Sequence, residues 1–133
     1  QYTSGPCSVS QKAAEAAYTM DQTCVETMRQ AFQRRRDLIV ELAKDIPGLE
    51  VNVPEGAFYL FPKCSSFYGK ACGDKVINNS TDLAMFLLEE GHVATVGGDA
   101  CGDPESFRMS YATSDDNIRE AMKRIKETLA KLK

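Results

Sequence analysis

Residues 107–132 carry the pattern that most limits the fold. In FRMSYA, Phe107, Met109 and Tyr111 alternate with Arg108 and Ser110, the two-residue period of a strand with one apolar face. Just beyond it, Ile118, Met122, Ile125, Leu129 and Leu132 recur at three- and four-residue steps, the apolar stripe of a helix. A one-faced strand followed by a one-faced helix must bury both faces, which predicts a sheet covered by helices. Ser114 is placed to cap this helix, and Asp115 and Asp116 complement the positive end of its dipole. Glu120 and Arg124 form a four-spaced ion pair on its wet side.

The upstream residues supply further elements. Residues 1–7 read as a loop holding Gly5 and Pro6, and Ser8 with Gln11 has capping-box spacing before the alanine-rich QKAAEAAY helix. Thr19 and Asp21 are candidate caps for a second, long helix ending near Lys44. Its apolar side is Val25, Met28, Phe32, Ile39 and Leu42, and Pro47 and Gly48 stop it. LEVNVPEGAFYLFPK reads as strand, turn, strand, with Val51 and Val53 on one face and residues 57–61 buried on both faces. Residues 64–79 read as an irregular, exposed excursion. Ser80 or Thr81 caps a third helix that turns Leu83, Phe86 and Leu87 inward and ends at Gly91. HVATV reads as a short strand and VGGDACGDPES as a glycine-rich loop. The expected fold class is α+β, a two-layer sandwich of a small, mostly antiparallel sheet covered by helices. The first helix and the start of the second fall outside that sandwich, and their apolar sides ask for a partner.

Composition removes several classes of function. The 133 residues suit one globular domain. With 19 acidic against 16 basic residues the net charge is −3, which opposes a nucleic-acid-binding surface. No apolar run approaches the roughly 18 residues of a membrane-spanning helix, so neither nucleic acid nor membrane is an expected partner. No secretory signal is visible, and a chain opening at Gln1 reads as a piece of something longer. Cys7, Cys24, Cys64, Cys72 and Cys101 are odd in number and form no CxxC pair, which fits free thiols in a reducing cytoplasm. Cys72 and Cys101 each precede a glycine and are open to either a reactive or a plain packing role. His92 has no neighbours at zinc-type spacing and follows a helix end, so no metal site is expected and its role reads as structural. The Arg34-Arg35-Arg36 run, without interleaved aromatics, reads as a solvated helix face. GxSxG, HExxH and P-loop motifs are absent.

Arg108 is the most suggestive single residue. It sits in mid-strand between two large apolar side chains and shares its face with Ser110. Its guanidinium reaches water at an edge, is paired internally, or is presented from a rigid strand to grip a carboxylate through two parallel hydrogen bonds. The preceding loop, with Gly97, Gly98 and Gly102, has the freedom to close over a small ligand but lacks the strand–GxGxxG–helix context of a phosphate site. A stand-alone α+β module binding a small carboxylate at Arg108 is one reading of these residues.

Four stretches point to another. YTSGPCSVSQKAAEAA, MRQAFQRRRDLIVELAKDIPGLEVNVPEGAFYLFP, LAMFLLEEGHVATVGGDACG and FRMSYATSDDNIREAMKRI follow one another over nearly the whole chain. In order and spacing they resemble the C-terminal part of class I, fold-type I, pyridoxal-phosphate-dependent aminotransferases, in particular the aspartate aminotransferases of bacteria. The resemblance implies a homodimeric enzyme acting on amino-acid and 2-oxo-acid substrates, aspartate and 2-oxoglutarate first, with aromatic amino acids or alanine as alternatives. It implies that residues 1–20 are a loop and short helix left over from a large domain. Residues 21–133 would then be the small C-terminal domain with its connecting helix. It implies that Arg108 binds the substrate α-carboxylate, that this domain moves on substrate binding, and that Thr3, Ser4 and Gly5 lie near the cofactor phosphate of a dimer partner.

Two departures stand out. Where the family reads V-P-G-x-x-F-G, this chain has Val96, Gly97, Gly98, Asp99, Ala100, Cys101 and Gly102, so glycine for proline should loosen the loop and cysteine for phenylalanine removes an aromatic wall. The family's cofactor-holding lysine, in an SK-x-x-x-x-x-G-x-R context, has no counterpart here. The segment is therefore expected to hold no catalytic residue, to bind no pyridoxal phosphate alone and to be inactive in isolation.

Overall fold

The computed structural model describes residues 4–133. The chain divides into two compact units, Gln1–Gln30 and Ala31–Lys133. The first holds α1 (Ser8–Thr19) and the start of α2 (Thr23–Lys44). The N-cap of α1 is Cys7, one residue before the expected Ser8, and no side chain caps it. Ser8 is already helical, and Gln11 donates to the Pro6 carbonyl at 2.9 Å, so the capping box does not form. Asp21 lies one residue outside the Gln22 cap position of α2 and accepts from the Thr23 hydroxyl at 2.8 Å and the Thr23 N–H at 3.3 Å, satisfying one donor of the helix start. α1 buries no residue, and Val9, Tyr18, Met20, Val25 and Met28 are exposed.

In the second unit, β1 (Tyr59–Leu60), β5 (Phe107–Ser110) and β4 (Val96–Gly97) form an antiparallel sheet in the order β1-β5-β4. Tyr59 faces Ser110, Leu60 faces Met109, Val96 faces Arg108 and Gly97 faces Phe107. Leu60, Phe107 and Met109 therefore share one face. They are buried together with Ile39, Val40 and Ala43 of α2, Leu83, Phe86 and Leu87 of α3 (Ser80–Gly91), and Ile118, Met122, Ile125 and Leu129 of α4 (Asp115–Leu129). The α+β architecture, a small antiparallel sheet under helices, is the one its residue pattern calls for. Among the described residues no helix is long and apolar enough to cross a membrane.

Five local expectations need correction. Residues 51–54 form no strand: Glu50 and Lys63 make an isolated antiparallel bridge and Val53 is exposed. Pro54 lacks an N–H, and Ala57 at φ 60 turns the chain, held by the Tyr111 hydroxyl donating to its carbonyl at 3.0 Å. The run at 57–61 is not buried on both faces either. β1 is an edge strand with Leu60 buried, Tyr59 half-buried and Phe58 exposed.

Residues 64–79 are no loose excursion. They hold a 3-10 turn at Ser65–Phe67 and the hairpin β2 (Ala71–Cys72) and β3 (Lys75–Val76), and they bury Cys64, Phe67 and Ile77. The cap of α3 is Asn79, whose side chain accepts from the Asp82 N–H at 2.8 Å, and His92 at φ 54 closes the helix as a left-handed cap. Last, the arginine run is not simply solvated. Arg34 donates to Asp115 at 3.0 Å, and half-buried Arg35 lies 3.6 Å from Asp115 and 5.6 Å over the Phe32 ring, so the run ties α2 to α4.

Candidate functional site

β5 is the central strand, paired on both sides, so Arg108 is carried mid-sheet and the edge reading falls away. The register puts Tyr59, Val96, Arg108 and Ser110 on the sheet face opposite the core. Arg108 and Tyr59 are half-buried, and Val96 and Ser110 are exposed. The Arg108 Cζ lies 4.6 Å from the centroid of the Tyr59 ring. Arg34, Arg36 and Arg124 are engaged by Asp115, Asp37 and Glu120. Arg108, by contrast, meets no carboxylate among the described residues. The internally paired reading falls away too. What remains is a cation on a stiff ribbon with its hydrogen-bond donors unspent. Ser110 is not a second ligand group pointing with it, since its hydroxyl accepts from the Ala112 N–H at 3.2 Å.

The loop before β5 is tied down by hydrogen bonds. Gly98–Cys101 form a 3-10 turn closed by Gly102 at φ 85, the left-handed conformation glycine suits. The fully buried Ser80 hydroxyl accepts from the Gly98 N–H at 2.9 Å, and the Gly98 carbonyl accepts from Asp103 N–H at 3.1 Å. A side chain at Gly98 would overlap the Asp103 and Ser106 carbonyl oxygens, and one at Gly97 would come within 2.6 Å of the Thr81 hydroxyl. Glycine at 97 permits close approach to the first turn of α3, and glycine at 98 lets the loop fold back on its own backbone. Asp103 in turn accepts from the Ser106 hydroxyl at 2.6 Å and the Glu105 N–H at 3.0 Å, and these bonds hold its carboxyl below the usual range. Cys101 is exposed at the turn.

Of the other sequence candidates, Ser4 and Gly5 lie in the first unit and are exposed, with open space around Gly5. Thr3 lies outside the described residues. His92 is an exposed helix cap, and no group of three metal-ligating side chains occurs among the described residues. Two lysine amines are engaged as cations: Lys63 is raised above its ordinary value by its bond to Glu105, and Lys75 by Glu89 and Glu90.

Two cavities had no signal in the sequence, because residues far apart in the chain form them. One, of about 440 Å³, is lined by Glu50, Phe61, Lys63, Asp103 and Ser106. The other, of about 110 Å³, lies among Ile39, Met109, Ile118 and Met122, beside a Thr95 hydroxyl buried without a partner. Arg108 lines neither.

A family model described as aminotransferase class I and II matches residues 1–125. The chain belongs to this family. An aspartate aminotransferase of Rhizobium meliloti (strain 1021) is 46% identical over 126 residues, covering 94% of this chain and 31% of the relative. One from Pinus pinaster is 44% identical over 137 residues, covering 100% of this chain and 28% of the relative. This aminotransferase segment thus spans under a third of the length of both. The crystal structure of an aspartate aminotransferase from Rhizobium meliloti superposes with a TM-score of 0.92 at 43% identity, over 100% of this chain and 34% of that one. An alanine aminotransferase from Pyrococcus furiosus gives 0.81 at 27% identity, over 94% of this chain and 30% of that one.

Proposed function

We propose that this segment works within a longer aminotransferase moving an amino group between aspartate and 2-oxoglutarate, and that Arg108 grips the substrate α-carboxylate. One observation carries the role of Arg108: an arginine on the central strand, facing outward, with no carboxylate partner among the described residues. A guanidinium fork matches a carboxylate edge with two charge-assisted hydrogen bonds, and a fixed strand spares much of the ordering cost. Aspartate is favoured as substrate because curated relatives named for it are 43–46% identical to this chain over the stretch they share with it, against 34% for an aromatic aminotransferase and 27% for the alanine enzyme. Carboxylate entry would neutralise the lone cation, and closure of the surrounding domain would then exclude water from the reacting groups.

Pyridoxal phosphate is the cofactor of this reading, and when bound it supplies the electron sink for amino transfer. Lys63 and Lys75 do not fit the task of holding it, and no lysine here stands in the family's SK-x-x-x-x-x-G-x-R context. Nucleophilic amines need a lowered pKa, and Lys63 and Lys75 are shifted the other way. The segment is read as inactive by itself. In the same reading residues 1–20 belong to the large-domain side and 21–133 form the small domain. In this reading the whole enzyme is a homodimer in which Ser4 and Gly5 approach the partner's cofactor phosphate. Five free thiols support a cytoplasmic setting.

The test is Arg108→Ala in the full-length protein. Removing one member of a desolvated charge pair costs about 2–5 kcal/mol, so kcat/KM for aspartate should fall by that amount. An unchanged kcat/KM removes Arg108 from the site.

A further inference from the structure

We infer that Tyr59 is a positioning residue: its ring holds the Arg108 guanidinium in the orientation that receives a carboxylate. The inference rests on the reading of Arg108 given above. Tyr59 faces Ser110 across the strands, which makes it the diagonal neighbour of Arg108 on the same face. The 4.6 Å separation of the Arg108 Cζ from the ring centroid is inside the range of cation–π attraction. The ring is itself held. It packs on Phe58 at 4.5 Å with a 48° tilt, and Phe58 lies 6.1 Å from Phe32 of α2. Phe32 meets Tyr111 edge-on at 6.5 Å and carries the Arg35 guanidinium 5.6 Å above its ring. Tyr59, Phe58 and Phe32 thus form a run of three rings between two guanidinium groups, with its far end tied to Asp115 through Arg35.

This arrangement solves a particular difficulty. A binding arginine must be held still, yet an internal carboxylate would occupy the N–H groups meant for the ligand. An aromatic face attracts the cation through its quadrupole and leaves the in-plane N–H donors unspent. The phenol oxygen of Tyr59 makes no hydrogen bond among the described residues, so the ring is the working part. Loss of the ring should weaken carboxylate binding and leave the chemical step alone.

The experiment uses the full-length enzyme loaded with pyridoxal phosphate, and compares Tyr59→Leu, Tyr59→Met, Tyr59→Phe and Arg108→Ala. Steady-state kinetics with aspartate are paired with calorimetric binding of succinate, a dicarboxylate with no amino group to transfer, and with thermal melts. Tyr59→Leu should raise KM and the succinate Kd about fivefold, the size of a partly shielded cation–π contact, with kcat within about twofold. Tyr59→Phe should restore both. Tyr59→Met keeps apolar bulk without a π face and should behave as Tyr59→Leu, which covers the case in which leucine lowers the melting temperature. A wild-type KM and succinate Kd in Tyr59→Leu and Tyr59→Met, beside a strongly impaired Arg108→Ala, overturns the positioning role and leaves the arginine reading standing. So does a loss that falls on kcat, or one that phenylalanine does not rescue. If Arg108→Ala itself binds succinate normally, the arginine reading fails and this inference with it.

Discussion

Gly98 is the glycine with the least room for a side chain. Its N–H is bonded to the buried Ser80 hydroxyl, and the space a side chain would need is taken by the Asp103 and Ser106 carbonyl oxygens. Backbone cannot yield as a flexible side-chain tip can. Gly98→Ala should therefore destabilise the fold by about 1–3 kcal/mol or more, the usual penalty for overpacking. Ser80→Ala leaves that buried N–H without an acceptor and should cost about 1–3 kcal/mol. The two residues are in contact, so the double variant should lose less than the sum. Urea denaturation of the three variants measures this. A strictly additive pair would show that Ser80 and Gly98 do not act as one anchor. The same anchor explains why a glycine-rich loop, read as loose from composition, is held directly ahead of the strand that carries Arg108.

Among the elements, α4 shows what a sequence pattern can specify. Ser114 accepts from the Asn117 N–H at 3.2 Å, Asp115 and Asp116 occupy the first turn, and the stripe from Ile118 to Leu132 is buried throughout. Ser114→Ala should cost about 1 kcal/mol as a lost cap, and Ile125→Ala about 2–5 kcal/mol as a core cavity, both read from denaturation midpoints. If Ile125→Ala cost no more than Ser114→Ala, the stripe would not be the core. β5 was legible for the same reason: its five-residue alternation fits one period only. Arg108 stood out as a cation in that alternation, although the sequence left open whether it was paired. The hairpin β2–β3 was not legible, because two-residue strands carry no period. It is held instead by distant groups, such as Ala71 exchanging backbone bonds of 3.0 and 3.1 Å with Lys133. The α3 cap was misplaced by one residue because Asn79, Ser80 and Thr81 are all competent caps. Gly98, 18 positions away, engages the Ser80 hydroxyl. Tyr59 was hidden in an apolar run, and only the register with Ser110 sets it beside Arg108.

At the scale of the whole chain, titration sets the range of stability. Asp115 is held below its ordinary value by the Arg34 bond, Asp103 by Ser106, Glu90 by Lys75 and Glu120 by Arg124, and in the first unit Glu26 falls to about 2 through Arg29 and Gln30. A carboxyl lowered by folding adds stability above its unfolded pKa and loses it as the pH falls through the folded one. Urea midpoints should therefore decline below about pH 4.5. The ion pairs of Glu26, Glu90 and Glu120 lie at the surface, so added salt should flatten the decline. Burial acts in the opposite sense on Cys64, pushing its thiol from 9.0 up to about 11. A raised thiol adds stability below its unfolded pKa and loses it as the pH rises through the folded one, here between 9.0 and about 11. Tyr68 and Tyr111 are also raised, from 10.0, and add their own loss at higher pH. Cys64→Ala should therefore delay the alkaline decline, moving its onset from near 9.0 toward the tyrosine value of 10.0, while lowering stability at neutral pH through the small cavity it leaves. A Cys64→Ala midpoint curve parallel to wild type from pH 8 to 11 would show that the buried thiol does not set the alkaline edge.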